Sequence, residues 1–201
     1  MHEGFVDLAE AVPGVRTEIR YATAHNLTGH PLAGYLAPRA LVTVEAAAAL
    51  SIAFQAAIRQ GYGMLIYDAY RPQKAVSDFV RWSQEAETGL TKAEFYPELE
   101  KRMLFPLGYI AERSGHSRGS TIDLTLLDAE GAPLDMGTCF DFMSEKSHHG
   151  AAGLTPAQRR NRAVLRDIME RAGFVPYENE WWHYRLKEEP YPDTYFDFDI
   201  K

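Results

Sequence analysis

The sequence predicts an α+β fold, a mainly antiparallel sheet flanked by helices, on three observations. Segments of helical and strand period are intermixed along the chain, and no regular strand-helix-strand alternation with glycine-rich phosphate loops runs through them. Asp128-Ala-Glu-Gly131 marks a hairpin turn directly after a strand-like run. With 201 residues, 46% of them hydrophobic, the chain can bury a core, and no repeat, low-complexity tract or Ser/Gly linker divides it. Residues 1–201 therefore read as a single domain.

The first forty residues read as irregular structure, with turn signals at Pro13-Gly14, Asn26, Gly29, Pro31 and Gly34. Thr43 to Gln60 is the most regular helix: Thr43 suits the N-cap, Ala47, Leu50, Phe54 and Ile58 recur at helical spacing, and Gly61 and Gly63 end the run. Met64 to Tyr67 is a short apolar strand leading into the turn Tyr70-Arg71-Pro72. Pro72 suits the first turn of a helix that carries Val76, Phe79, Val80 and Trp82 inward. Thr121 to Leu127 forms the next strand, and the turn after it sends the chain back toward Leu134 and Met136. Thr155-Pro156 opens a helix with Val164, Leu165, Ile168, Met169 and Ala172 on its apolar face, closed by Gly173. Phe174 to Tyr177 and Trp181 to Leu186 complete the strands.

Charge and cysteine usage narrow the function classes. The balance of 21 Lys+Arg against 28 Asp+Glu gives a net charge of -7, and no basic cluster falls on one face, which argues against nucleic acid and anionic membrane as partners. No apolar run approaches the roughly 20 residues of a membrane span. The acidic start His2-Glu-Gly-Phe-Val-Asp-Leu-Ala-Glu10 lacks the pattern of a secretory signal, so a cytoplasmic location is expected. Cys139 is the one cysteine, so a metal site here has to use nitrogen and oxygen ligands.

Two stretches concentrate such ligands: Ser114-Gly-His-Ser-Arg-Gly-Ser-Thr-Ile-Asp123 and Glu180-Trp-Trp-His183. Three protein ligands with a fourth position open to water is the arrangement of catalytic zinc, whereas structural sites close all four. On a regular strand His116 and Asp123 would face opposite ways; Ser117-Arg118-Gly119-Ser120 supplies the bend that lets them converge. Asp123 interrupts an apolar strand, and burying a lone carboxylate there is costly unless a cation or several donors attend it. The alternative turns Asp123 outward on a half-exposed strand, with His116 an ordinary loop residue. Glu180 and His183 also need a bulge, or a strand beginning between them, to share a side. Otherwise Trp181, Trp182 and Tyr184 are core aromatics and Glu180 and His183 are solvated. Arg71 directly follows a buried strand, where it can aim at charge developing on a carbonyl oxygen or simply pair with Asp68 or a surface carboxylate; spacing does not choose between them.

These residues are familiar as a set. Ser-Gly-His-Ser-Arg-Gly-Ser-Thr-Ile-Asp-Leu-Thr-Leu, Glu-Trp-Trp-His and Tyr67-Asp-Ala-Tyr-Arg-Pro-Gln73 resemble the VanX-type D-alanyl-D-alanine dipeptidases, which share a Hedgehog/D,D-peptidase-like fold. So do Tyr21-Ala-Thr-Ala-His-Asn-Leu-Thr-Gly29, Phe140-Asp-Phe-Met143, Ser147-His-His149 and Tyr195-Phe-Asp-Phe198, so the likeness spans nearly the whole chain. It implies one zinc ion held by His116, Asp123 and His183, with Glu180 as general base and then acid and Arg71 stabilising the tetrahedral intermediate. It also implies D-Ala-D-Ala as substrate, with Asp141 and Tyr21 near its ammonium group and Ser114 as a neighbour of the site. Gly115 departs from the pattern, which has a polar side chain there; the contact it makes is then lost or passes to backbone N–H. His148 and His149 read as a polar loop beside Gly150, or as residues lining the site's mouth. Two rivals remain: an exported cell-wall D,D-carboxypeptidase or endopeptidase, against which the missing signal argues, and a zinc-stabilised binding module, which would need neither Glu180 nor Arg71.

Overall fold

Where the chain alternates between apolar and polar over long enough windows, the expected elements form. The structure, a computed structural model, describes residues 2–201. In order they are β1 (Phe5–Asp7), α1 (Leu8–Ala11), β2 (Arg16–Thr17), β3 (Leu41–Thr43), α2 (Val44–Arg59), β4 (Gly63–Asp68), α3 (Gln73–Gln84), α4 (Lys92–Phe95), β5 (Thr121–Leu127), α5 (Pro156–Arg171), β6 (Phe174–Tyr177) and β7 (Glu180–Leu186). Strands β2, β4, β5, β7 and β6 lie in that order in one sheet, and β1 pairs with β3 in a small second one. The large sheet is antiparallel except for the short β2–β4 pairing, so the expected α+β class holds.

The side chain of Thr43 accepts from Ala46 N and starts α2, while α5 opens with a full capping box between Thr155 and Gln158. Both helices pack on the sheet and on each other. Leu50 and Phe54 are buried as expected, but Ile58 is 50% exposed. Ala46, Ala49, Ala53 and Ala57 line the inner face instead, which brings the helix close to its neighbours. Pro72 stands just outside α3 as its N-cap, and Val76, Phe79 and Trp82 turn inward while Val80 is only partly buried.

Two further corrections concern short pieces. The first forty residues are not wholly irregular: β1, α1 and β2 lie there, with Asp7 capping α1. The return after β5 is a tight turn in which Asp128 accepts from Glu130 N and Ala132 N; its second leg makes only an isolated bridge, Leu127 to Pro133. All seven residues of β5 are buried. It is the middle strand, covered on both faces.

Candidate active site

The site is assembled along one rung of the sheet. Asp68 on β4 faces Asp123 on β5, which in turn faces His183 on β7. The first pairing exists because the register slips between Ile66 and Asp68, a bulge that re-aims the end of β4. The second irregularity sits between β6 and β7: Pro176 faces Tyr184, yet Tyr177 faces Glu180. One step on β6 is thus matched by a looped run on β7, and Glu180 and His183 reach the same cavity despite the odd spacing between them. His116 arrives from the other direction, on the 3-10 turn Gly115–Arg118, which ends at Gly119 with φ 82°. That left-handed residue is the bend needed between His116 and the strand.

His116 Nε2 lies 3.2 Å from Asp123 Oδ2 and 3.3 Å from His183 Nδ1, and His183 Nδ1 lies 3.1 Å from Asp123 Oδ1. Ligands about 2.0–2.1 Å from a tetrahedral ion stand roughly 3.3 Å from one another. The three donors therefore fit a zinc-like ion in both chemistry and spacing. Tautomer points the same way: His116 Nδ1 is 2.7 Å from the Ala69 carbonyl oxygen, which fixes a proton on that nitrogen and frees the lone pair of Nε2. Asp123 is 2% exposed, and its Oδ1, although close to His183, has no well-formed hydrogen bond. This overturns the outward-facing alternative for Asp123, and the reading of His116 as an ordinary loop residue goes with it: His116 is 1% exposed.

A cavity of about 310 Å³ opens above these donors. Every residue singled out in the sequence as a site residue lines it: Tyr21, Arg71, Ser114, His116, Asp123, Asp141, Glu180 and His183. Trp181, Trp182 and Tyr184 are buried in the core, as the plain reading of that segment has it, while Glu180 and His183 keep partial access to the cavity. Glu180 Oε2 is 3.5 Å from His183 Nδ1. Burial, reinforced by the charge of Asp123, raises the Glu180 carboxyl to about 7, close to the range in which a group can both take and return a proton.

Arg71 pairs with Asp68 and at the same time lines the cavity. Its Nε and Nη2 each lie 2.9 Å from Asp68 Oδ2, and Nη2 stands 3.7 Å from Asp123, while the guanidinium covers the Tyr21 ring at 4.7 Å. Asp68, weighed in the sequence only as an ion-pair partner of Arg71, is fully buried and also accepts from Tyr35 OH at 2.6 Å. The signal for its burial was present: Asp68 closes an apolar strand as Asp123 interrupts one, and a buried carboxylate in such a place needs partners.

Across the cavity Tyr21 OH donates to Asp141 Oδ2 at 2.7 Å. Among the described residues Asp141 is the one non-glycine with positive φ, 61°, a conformation Asp tolerates better than most. Burial pushes its carboxyl up to about 8, with Asp123 and Glu180 adding to that and the Tyr21 hydrogen bond opposing it. The loop carrying Asp141 is held from behind by Arg162 of α5, itself 2% exposed. Its guanidinium donates to three backbone carbonyls, those of Met136 (2.7 Å), His148 (2.6 Å) and Lys146 (2.9 Å).

Ser114 caps the 3-10 turn, its hydroxyl accepting from His116 N. Gly115 has a structural reason to lack a side chain: a Cβ there would lie 2.9 Å from Thr121 Oγ1. His148 lines a second cavity that shares Tyr109, Tyr177 and Glu180 with the first. His149 instead packs edge-on against Tyr184, and burial, helped by Arg166, lowers its imidazole to about 4.

Comparison with known proteins follows the geometry. The family model described as D-ala-D-ala dipeptidase matches residues 1–201. A D-alanyl-D-alanine dipeptidase of Enterococcus faecium is 48% identical over 202 residues, 100% of either chain. Another from Streptomyces coelicolor is 51% identical over 197 residues, 98% of this chain and 96% of that one. Among solved structures, the LD-carboxypeptidase LdcB superposes with a TM-score of 0.49 at 18% identity, over 94% of this chain and 70% of the other.

Proposed function

This chain belongs to the D-Ala-D-Ala dipeptidase family, and from that premise we propose that, as one domain, it hydrolyses free D-Ala-D-Ala to two molecules of D-alanine at a single zinc ion. His116, Asp123 and His183 hold the ion. When bound, zinc supplies a Lewis acid that polarises the scissile carbonyl and makes water more acidic.

The remaining work falls to the chain's own side chains. Glu180, beside His183 in the cavity, takes a proton from the attacking water and delivers it to the departing amine as the C–N bond breaks. Arg71, held rigid by Asp68, presents its guanidinium where negative charge builds on the carbonyl oxygen. Asp141, oriented by Tyr21, receives the ammonium group of the dipeptide. An N-acylated peptide brings no cation there, so the buried carboxylate stays unmatched and such substrates are disfavoured.

The observation that carries this reading is the meeting of three metal-type donors, a proton-transfer carboxylate and an arginine on the walls of one cavity. It favours an enzyme over a binding module, which has no use for Glu180 or Arg71. The test is hydrolysis of D-Ala-D-Ala and of N-acetyl-D-Ala-D-Ala by purified protein, with zinc and after chelation. Cleavage of the free dipeptide alone, abolished by chelator and restored by zinc, is expected. Unchanged dipeptide with one zinc bound per chain would return the protein to the binding class.

A further inference from the structure

The cavity holds one charged side chain that the mechanism leaves unused. Its lining carries three carboxylates, Asp123, Asp141 and Glu180, and two arginines, Arg71 and Arg113. Arg71 is already committed, with two contacts of 2.9 Å to Asp68 and one of 3.7 Å to Asp123. Arg113 is exposed and, among the described residues, has neither a carboxylate within ion-pair distance nor a hydrogen bond. Its guanidinium carbon lies over the Tyr195 ring instead, 5.0 Å from the ring centre. A cation–π contact of this kind holds the guanidinium near the cavity and leaves its N–H donors free for an anion.

Position adds to this. Arg113 directly precedes Ser114 and the turn Gly115–Arg118 that carries His116, whereas Asp141 belongs to a separate loop between β5 and α5. A dipeptide spans only about 7 Å from end to end. With its ammonium at Asp141 and its amide over the metal-type donors, its carboxylate is the one charged group still unmatched. No side chain at position 115 can meet it, because Thr121 Oγ1 occupies the space into which a Cβ would project. We infer that Arg113 binds the carboxylate of the substrate and makes the enzyme selective for a free C-terminus. Asp141 and Arg113 then read the two ends of the same zwitterion, and the site measures the length of its substrate by charge.

This inference rests on the proposed dipeptide hydrolysis, and the experiment separates the two. Zinc-loaded wild type, Arg113→Gln and Arg113→Lys are compared on D-Ala-D-Ala and on its C-terminal amide, with zinc content and thermal unfolding as controls. Wild type is expected to prefer the acid. In Arg113→Gln, KM for the acid should rise about tenfold or more with kcat within about threefold, and the acid-over-amide preference should collapse, while Arg113→Lys, which keeps the charge but not the fork, retains part of it. A wild type without acid preference, or an Arg113→Gln variant that keeps it, overturns the role of Arg113. A wild type that cleaves neither compound overturns the underlying dipeptidase reading instead.

Discussion

Asp123 and Asp141 line the same cavity and are almost equally withdrawn from water, at 2% and 4% exposure, yet their surroundings drive them to opposite charge states. For each, burial is the largest influence and raises the carboxyl. At Asp123 the charge and hydrogen bonding of His116 and His183 overturn it and hold the group well below the ordinary carboxylate range. At Asp141 one tyrosine hydroxyl is too little, and the group sits near 8. The difference teaches what each is built to meet: Asp123 has its partners within the fold, whereas Asp141 has one tyrosine, and in the proposed function its cation arrives with the substrate. Glu180 stands between them at about 7.

The largest expected effect tests that intermediate position. In Glu180→Gln, turnover should fall by about 10²–10⁴-fold while zinc content, read by atomic absorption, stays at that of the wild type. Loss of the metal together with activity would make Glu180 a ligand, and so a second Asp123 rather than a proton carrier.

Asp141→Asn sharpens the comparison in two directions. Removing the charge should lower kcat/KM for the dipeptide by about 10–100-fold, the scale of one charge-assisted hydrogen bond, and should erase the rise in kcat/KM as pH climbs toward 8. Stability moves the other way. A carboxyl raised in the folded state contributes fully at acid pH and loses that contribution as pH rises from about 4, its unfolded value, through the folded value near 8. At pH 9 the variant should therefore be more stable than the wild type, by about 1 kcal/mol or more, or roughly 2–4 °C in Tm. Equal melting temperatures at pH 9 would mean that Asp141 carries no burial penalty.

The last effect, on stability alone, concerns the strand that bears Asp123. Gly115→Ser should destabilise by about 1–3 kcal/mol, because its Cβ meets Thr121 Oγ1, a buried atom without a hydrogen-bond partner. The double variant Gly115→Ser/Thr121→Ala should recover most of that loss in denaturant unfolding. Additive losses would place the conflict elsewhere.

Much of the cavity was legible because its residues are thermodynamic anomalies. An aspartate in an apolar strand needs a reason, and that reasoning singled out Asp123; applied to the end of β4 it would also have shown that Asp68, named only as a candidate partner of Arg71, is buried. The period-two rule showed that Glu180 and His183 require an irregular strand, and the irregularity is there. Other features left no local trace. Strands of two or three residues, such as β1 and β2, are too short to show a period, and their pairing is decided by partners far along the chain. Helical spacing marked α2 but put Ile58 on the wrong side, because an alanine-rich stripe looks neutral in sequence and becomes the inner face only when the sheet lies close. Arg162 was equally unreadable, since its partners are backbone carbonyls and those carry no residue identity.

That arginine has a consequence for how the active site can change over time. A single fork ties together both ends of the span from Met136 to His148, doing for an irregular stretch what a ladder of strand bonds does for a sheet. Because the tether grips main chain, the exposed positions of that span, Cys139, Glu145 and Lys146, can be exchanged without loosening it, while Met136, Phe140 and Met143 are fixed by the core and Asp141 by its left-handed backbone. The frame that presents residue 141 thus hangs on a side chain of another element, and a change at residue 162 would be felt across the whole span.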